Sequence, residues 1–469
     1  MRYPLRSALY AVGFCVALAA SACRSGGPAV PATAPPRAQG RGTLDAPGRG
    51  TGPTNLQFDA TRLYQQLGLL ARGAPLPFVG SVAFLATAAT DSTHVIVAIS
   101  LSNAALTFGR ENDRFRAGYT AGITLRSGAV VVKQIEAHES VLVPSFRETS
   151  RLDESVIYQE ILTVKPGRYT LAVTIRDDGS SRATSEDVTL VVPVFGPGSL
   201  STPISFARVT TRPVMDSFPR LISSPRATVI FGRDSVVPFY IEAYASLAEG
   251  RVPLQYAVRN ETGRSLYADT ASLAWRGGLS SGVVNVPTAR IGIGPAMISF
   301  WRPGRSDTTR APAFIGFGED LPVATYEEML NYLRYFAAPY KLKALRDTAP
   351  EFRAGTWAKF VKESSGLGGG NDALHDYFGR LVKANLQFRE EAMPGWLSDR
   401  GRVLLGLGEP DQSYEQGLPN VNTRGRTQIW EYRAANLRLT FYDQTGFGRW
   451  RLTSSSEIEF ESAWRRRVN

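Results

Sequence analysis

Short runs in which apolar and polar residues alternate, separated by turn-forming pairs, dominate the chain from about Pro77 to residue 318 and constrain its fold most strongly. Residues 169–175 show this alternation, residues 95–101 form a more continuously apolar strand-like run, and Pro166-Gly167 and Asp178-Gly179 are two of the turns. A period of two is typical of strands, and turns of this kind join antiparallel neighbours. The pattern therefore predicts antiparallel β-sandwich structure.

The β-rich region is interrupted by a joint rich in Gly, Pro and Ser, residues 196–203. We predict one β-sandwich domain over residues 75–197 and a second, sandwich-like domain over residues 205–318. Leucines at helical spacing before the first domain predict a short helix within residues 55–74. The motif Gly278-Leu279-Ser280-Ser281-Gly282 matches the G-x-S-x-G nucleophile pattern, but its β-rich context indicates a turn instead.

Helical periodicity replaces the β pattern at residue 319. Thr325–Glu328 has the sequence of a capping box followed by an apolar face, and Thr348–Glu351 resembles a second box. A third helical run follows, and short strand-like runs come after it, beginning with residues 402–406. We therefore predict an α+β domain over residues 319–469, in which three helices precede a small antiparallel sheet.

The first residues resemble a bacterial lipoprotein leader. A basic start and an apolar run, shorter than the ~20 residues that span a bilayer, end in Ala20-Ser21-Ala22-Cys23. This ending resembles a lipobox, although lipoboxes usually carry Leu where Ala20 stands. The resemblance implies a signal peptide over residues 1–22 and lipidation of Cys23; the alternative is ordinary secretory cleavage, which leaves Cys23 as a free thiol. The Pro-, Gly- and Ala-rich composition of residues 23–54 predicts a disordered tether.

Cysteine, histidine and charge content argue against several kinds of site. Both of the 2 Cys, Cys15 and Cys23, lie in the leader region, so the exported chain would have no internal disulfide, thiolate cluster or cysteine nucleophile. The 3 His show no H-E-x-x-H or paired-His spacing, so we predict no zinc site. The formal net charge of +11 is spread along the chain, which favours a basic surface over a nucleic-acid site.

The segment Pro394-Gly395-Trp396-Leu397-Ser398-Asp399-Arg400-Gly401-Arg402, together with residues 406–411, resembles the signature of GWxTD-domain proteins. Two departures stand out: Ser398 replaces the family's Thr but keeps its hydroxyl, and the Gly-rich residues 364–370 replace a more charged segment. The resemblance implies a bacterial cell-envelope protein. The family supplies no established activity, cofactor or catalytic residue.

The signature has two interpretations. In the structural one, Trp396 packs beneath a tight turn, Ser398 and Asp399 brace the chain as it enters a strand, and the arginines pair with nearby carboxylates. In the functional one, the charged residues form a polar cluster on a pocket that binds a partner or a glycan. The candidate residues are Gly395, Trp396, Ser398, Asp399, Arg400, Gly401, Arg402 and Asp411.

Together these features predict an exported, lipid-anchored cell-envelope protein that acts as a non-catalytic interaction or structural module. Its expected partners are the membrane, through the lipid on Cys23, and an envelope protein or cell-wall component; nucleic acid, metals and cofactors are not expected. The alternative is an envelope hydrolase for glycan or peptide, with a carboxylate site near Asp399 and Asp411. The choice of membrane and the oligomeric state stay open.

Overall fold

The structure is a computed structural model that describes residues 60–151, 156–244, 250–276, 279–318, 321–365, 371–390, 393–417 and 425–469. The leader, both cysteines, the tether and residues 366–370 of the Gly-rich loop lie outside these ranges. The described residues belong to one compact unit, residues 53–469. Antiparallel sheets dominate it and helices gather toward the C-terminus, which confirms the predicted fold class. None of the helices in the described ranges has the length and apolar character that a membrane span requires.

The first β region is a sandwich of two sheets, preceded by a short helix, α1 (Thr61–Gln66). One sheet has the strand order β1-β2-β3-β7, and the other has the order β4-β5-β8-β9 with β6 also paired to β5. Buried side chains from both sheets form one core. The strands are β1 (Leu70–Arg72), β2 (Phe78–Ala86), β3 (Thr93–Leu101), β4 (Gly109–Glu111), β5 (Arg114–Ser127), β6 (Val130–Val143), β7 (Val156–Val164), β8 (Gly167–Asp177) and β9 (Ala183–Val192), and a short helix, α2 (Phe146–Thr149), connects β6 to β7.

The second β region is one nine-stranded sheet with the order β11-β10-β13-β16-β15-β14-β17-β18-β12. It folds over a shared core in which the rings of Phe239 and Phe300 lie 5.6 Å apart. Leu279–Gly282 of the G-x-S-x-G motif starts a strand paired with β13, so the turn interpretation of these residues is wrong. The strands are β10 (Ile204–Thr210), β11 (Arg220–Ser223), β12 (Thr228–Ile230), β13 (Val236–Tyr244), β14 (Arg251–Asn260), β15 (Ser265–Arg276), β16 (Leu279–Pro287), β17 (Gly294–Trp301) and β18 (Thr308–Gly316), with helix α3 (Thr288–Ile291) between β16 and β17.

Strand β3 is buried on both faces. Val97 and Ile99 point into the sandwich core, whereas Ile96 packs in a separate cluster with Ile204 and Tyr240 of the second β region. A strand covered on both sides needs apolar residues at consecutive positions. The continuous apolar run at residues 95–99 therefore marks the place where the two β regions meet.

Along the C-terminal region of the chain, helices come before and after a four-stranded antiparallel sheet. These helices and the sheet share one core. The capping box at Thr325 is present, because its Oγ1 accepts the Glu328 N–H at 3.2 Å. The elements are α4 (Tyr326–Tyr332), α5 (Pro339–Arg346), α6 (Arg353–Ser365), α7 (Asn371–Gln387), α8 (Asp399–Leu407), β19 (Gln412–Gly417), β20 (Arg426–Tyr432), β21 (Leu437–Asp443), β22 (Arg451–Leu452) and α9 (Ser454–Val468).

Three local predictions for this region are wrong. The apolar face that follows the first capping box, from Met329 to Tyr340 in the sequence, does not lie on one helix: it is divided between α4 and α5, because Pro339 begins a new helix. Thr348 forms no capping box: its hydroxyl donates to the Ala344 carbonyl instead. Residues 402–406, expected to form a strand, lie in α8. Sequence analysis also missed the C-terminal helix, α9.

Candidate functional site

The signature residues form the turn between α7 and α8, and Ser398 is its central hydrogen-bonding group. Residues 395–397 make one 3₁₀ turn, and Ser398 is the N-cap of α8. Its buried hydroxyl donates to the Gly395 carbonyl at 2.6 Å and accepts the Gly401 N–H at 3.1 Å. Satisfying a free N–H at the start of a helix is the ordinary role of a Ser or Thr cap. Ser398 therefore braces the entry to a helix, not to a strand.

Gly395 and Gly401 are required by close main-chain contacts. A Cβ atom on Gly395 would lie 2.1 Å from the Ala384 carbonyl oxygen, and one on Gly401 would lie 1.9 Å from the Gly395 carbonyl oxygen. Both distances are far below van der Waals contact. The end of α7, the signature turn and the first turn of α8 thus meet without side chains between them.

Trp396 is a packed residue that is only 8% exposed. Its main-chain N–H donates to Asn385 Oδ1 at 3.1 Å, and its ring meets that of Tyr332 edge-to-face at 5.6 Å. The guanidinium of Arg334 lies 4.9 Å from the ring centroid, within cation–π range. Trp396 therefore holds α4 and the following 3₁₀ turn against the signature.

Asp399 and Arg402 connect α8 to the end of the chain. Asp399 Oδ2 accepts the Leu452 N–H at 2.8 Å, and its Oδ1 lies 3.4 Å from Arg402 Nη2. Arg402 also makes a bidentate pair with Glu457, with Nη1 at 2.6 Å from Oε1. Burial lowers the pKa of Arg402, but hydrogen bonds and charge from Glu457 and the charge of Asp399 raise it above its usual value. These contacts fix β22 and α9 on α8.

Arg400 faces an aromatic environment. Its guanidinium carbon lies 4.8 Å from the ring centroid of Phe388 and 5.1 Å from that of Trp450. Its one described hydrogen bond is a long contact of 3.4 Å to Gln428 Oε1, and no described carboxylate forms an ion pair with it. Burial lowers the pKa of Arg400 to about 10, so the side chain is still charged at neutral pH.

Asp411 has a separate role. Its Oδ2 accepts the Arg433 N–H at 2.6 Å, which holds the end of β20. Asp399 and Asp411 therefore each bind a main-chain amide from a different part of the sheet, and no described hydrogen bond joins the two carboxyls. Among the described residues, no cluster of three or more His, Cys, Asp or Glu side chains has a metal-binding arrangement.

Sequence analysis missed a rigid turn at the end of β21. We call residues 444–450 the Phe447 turn. The fully buried carboxylate of Asp443 accepts the N–H groups of Gly446 and Gly448 at 3.1 and 2.7 Å and a hydrogen bond from Arg426 at 3.1 Å. Burial raises the pKa of Asp443, but its hydrogen bonds more than offset this and hold the pKa below its usual value. At the turn, Phe447 is 87% exposed.

The sequence contains a signal for this turn. Asp443 ends an apolar strand and is followed by glycines at the third and fifth positions, Gly446 and Gly448. Both glycines have positive φ, +76° and +86°. An Asp that accepts N–H groups from a following turn with positive-φ glycines is a recognisable turn pattern.

A buried ion pair at the junction of the two β regions was also missed. Arg212 and Glu242 are both fully buried and make a bidentate pair with distances of 2.8 and 2.6 Å. The hydroxyls of Tyr240 and Tyr244 donate to the same carboxylate at 2.5 and 2.7 Å, and burial raises the pKa of both tyrosines. Arg212 further donates to the Ala86 carbonyl at the end of β2 at 2.7 Å.

Comparisons with known proteins leave the family undetermined. No protein-family model matches the chain, and no curated protein matches it. The BSP domain of a biofilm-associated protein is 10% identical, with 54% of each chain covered and a TM-score of 0.16. Trypsin-activated alpha-2-macroglobulin from Escherichia coli is 11% identical, with 52% of this chain and 17% of that chain covered and a TM-score of 0.19.

The fibronectin(III)-like modules of Clostridium thermocellum CbhA are 10% identical, with 50% of this chain and 94% of that chain covered and a TM-score of 0.14. The present chain thus spans about half the length of the biofilm-associated domain and a smaller part of the macroglobulin. At such low TM-scores, these likenesses transfer no function to this protein.

Proposed function

We propose that the protein is an exported, lipid-anchored cell-envelope protein whose C-terminal region is a non-catalytic interaction module of the GWxTD type. The observation that carries this proposal is the rigid presentation of Phe447 on a turn supported by the signature. Sequence resemblance supports the envelope location and the lipid anchor.

The Phe447 turn has the properties of a binding determinant. Aromatic side chains supply much of the energy of protein interfaces, and a rigid segment loses little conformational entropy when it binds. Asp443 holds the main chain on both sides of Phe447, while the Phe447 ring stays 87% exposed. A large apolar ring held in this way is well suited to enter a pocket on a partner protein.

The signature supports this turn from its other end. The turn connects β21 to β22, and Asp399 of the signature holds β22 through the Leu452 N–H. Trp450, the last residue of the turn, has two guanidinium groups within cation–π range, with Arg400 at 5.1 Å and Arg426 at 5.2 Å from its ring centroid. The signature therefore acts through support of the turn, and its carboxylates need no catalytic role.

Capture of a partner from detergent-solubilised envelope tests the interaction. The whole chain carrying Phe447→Ala should lose the partner that the wild type captures, since the exposed ring contributes little to the fold. Phe352→Ala is the matched control, because Phe352 is also highly exposed, at 67%, but lies in the 3₁₀ turn just before α6. Equal melting temperatures of the three proteins establish that binding alone has changed.

The captured protein is then identified by mass spectrometry, purified and titrated against each variant. An affinity at least about tenfold weaker for Phe447→Ala is expected for a central aromatic contact. Equal affinity of Phe447→Ala and wild type would exclude the turn as the interface. Trp396→Ala is unsuitable for this purpose, because its loss would disturb the fold.

The lipid anchor is tested at Cys23. After removal of the leader, Cys23 is the sole remaining cysteine of the sequence, so a maleimide probe on the denatured protein reports its state directly. Lipidation predicts no labelling and membrane retention that is lost in Cys23→Ser. Labelling of the wild type at full stoichiometry would establish the alternative, a secreted chain with a free thiol.

A further inference from the structure

A cleft of about 450 Å³ lies on the outer face of the nine-stranded sheet, across β14, β17 and β18. Ala257 on β14 pairs directly with Ser299 on β17, and Ser299 in turn pairs with Arg310 on β18. Their neighbours Val258 and Ile298 are completely buried in the core on the opposite face. Two small side chains side by side, bordered by larger ones, leave the space that forms the cleft.

Three arginines line this cleft, which we call the arginine cleft: Arg259, Arg305 and Arg310. All three are exposed. In the part of the chain that the structure describes, none of these arginines forms an ion pair with a carboxylate. Asp307 lies in the same loop as Arg305 but does not pair with it. A cleft lined by charges of one sign concentrates their field and attracts ions of the opposite sign.

Arg305 is held in position by the joint between the two β regions. Its Nη2 donates to the Pro197 carbonyl at 3.4 Å. Its guanidinium lies against Gly198, where a Cβ atom would come within 2.2 Å of Arg305 Cζ. Gly198 also has a φ of +96°, a conformation that favours glycine. A side chain at position 198 would occupy the space that the Arg305 guanidinium fills, so the position of this arginine depends on glycine in the joint.

An aromatic wall completes the cleft. Trp301 lines it and is half-buried, and its Nε1 donates to Gln255 Oε1 at 2.8 Å. Gln255 pairs with Trp301 across β14 and β17, so the orientation of the indole is fixed by its own sheet. The cleft thus combines a fixed apolar ring with three guanidinium groups that form no ion pair with a described carboxylate.

We propose that the arginine cleft binds phosphorylated sugars, with the phosphate on the arginines and the sugar ring against Trp301. Guanidinium groups form strong, charge-assisted hydrogen bonds with phosphate oxygens. A phosphate monoester offers up to two negative charges and three oxygens to three arginines, whereas a carboxylate offers one charge and two oxygens. A volume of about 450 Å³ falls in the range of small-molecule sites and exceeds what inorganic phosphate alone would fill.

The site is distant in the sequence from the Phe447 turn and the proposal does not depend on that turn. Both free sugar phosphates and phosphorylated glycolipid headgroups have the required chemistry. Calorimetric titration of the whole chain in a neutral detergent with glucose 1-phosphate tests the first source. Binding to phosphatidylcholine vesicles with and without lipid A, whose headgroup is a phosphorylated disaccharide, tests the second.

Saturable binding of either ligand is expected, and the ligand that binds identifies the source. Arg305→Ala and Arg310→Ala should each weaken binding by about tenfold, the effect of losing one charge-assisted hydrogen bond. Arg208→Ala is the matched control, since Arg208 is an exposed arginine on β10 outside the cleft. Trp301→Leu should weaken glucose 1-phosphate binding and leave the affinity for inorganic phosphate unchanged.

Three results would overturn the proposal. The first is absence of binding to both glucose 1-phosphate and lipid A vesicles. The second is an affinity for glucose 1-phosphate that is no higher than the affinity for inorganic phosphate, which would show that the sugar makes no contact. An equal affinity for glucose 1-phosphate and glucuronate would likewise show that the site does not prefer phosphate. The third is binding that the cleft arginine variants leave unchanged, which would locate it elsewhere. Circular dichroism of each variant confirms that it is folded.

Discussion

At the scale of single residues, Gly395 and Gly401 have the least freedom to change. Their α-carbons stand where α7, the signature turn and α8 come into main-chain contact, and an added Cβ would overlap a carbonyl oxygen at either position. The signature segment was recognisable in the sequence, but the physical reason for its two glycines was not. Spacing along a chain does not reveal that two glycines six residues apart each lie against a main-chain carbonyl, Gly395 against that of Ala384 and Gly401 against that of Gly395.

Gly401→Ala is expected to destabilise the protein by at least about 2 kcal/mol, because the main chain must move to admit the methyl group. Gly355→Ala is the matched control: Gly355 lies in α6 with open space around its α-carbon. Replacing an exposed helical glycine with alanine should stabilise by about 0.5–1 kcal/mol. Urea unfolding of both variants measures the difference, and equal stabilities would contradict the proposed contact.

His94 predicts a dependence of stability on pH. Burial and the charge of Arg212 lower its pKa from the usual 6.5, although Glu242 acts in the opposite direction. The unfolded chain therefore binds a proton at this site more readily than the folded chain. The contribution of neutral His94 to stability is complete above pH 6.5 and is lost as the pH falls from 6.5 toward the lowered pKa.

Unfolding free energies measured between about pH 7 and about pH 5, the range in which histidine titrates, test this expectation. His94→Gln should show a shallower loss of stability over that range than the wild type does. His138→Gln, at an exposed position on β6, is the matched histidine substitution. Parallel curves for all three proteins would rule out the assigned role of His94.

At the scale of elements, alternation of apolar residues predicted the β regions well because most strands have one face in a core. The same criterion failed for α8. Val403, Leu404 and Leu405 are all buried, since this short helix is surrounded by α7, α9 and β22. A short, wholly buried helix has the continuous apolar sequence of a buried strand, and periodicity cannot separate the two. The Ser398 cap was the distinguishing feature.

Ser398→Ala is expected to destabilise the protein by about 1–2 kcal/mol, because the N-cap hydrogen bond to Gly401 is lost in a buried site. Ser455→Ala is the control, at an exposed position in the first turn of α9. Thermal unfolding compares the two variants with the wild type. A melting temperature of Ser398→Ala equal to that of Ser455→Ala would show that the cap contributes nothing.

At the scale of the whole molecule, the two β regions are joined through a buried face and through a buried charge pair of the second region, whose Arg212 donates to the end of β2. The sequence predicted a Gly-, Pro- and Ser-rich joint, but not the contacts around it. Arg212 and the Ala86 carbonyl are 126 residues apart in the sequence, and no local pattern links positions so distant. A partial signal was present on β13, where Tyr240, Glu242 and Tyr244 share one face of the strand.

Glu242→Gln tests the importance of this pair. The substitution keeps the size of the side chain but leaves the buried charge of Arg212 without its counterion, which should cost about 3 kcal/mol or more. Glu111→Gln is the matched control, since Glu111 pairs with Arg116 on the surface, where both side chains are about half exposed. The control should lose less than about 1 kcal/mol. Equal losses in urea unfolding would refute the proposed role.

The joint at residues 196–203 determines how this protein can be divided for laboratory work. Ser201 is fully buried, the Thr202 N–H donates to the Phe84 carbonyl, and Gly198 seats Arg305. A recombinant fragment cut at the joint would expose the apolar outer face of β3 on one piece, and on the other it would leave the buried Arg212–Glu242 pair without its contact to the Ala86 carbonyl. Expression trials should therefore keep residues 60–318 together, and cuts within the joint should yield aggregated material.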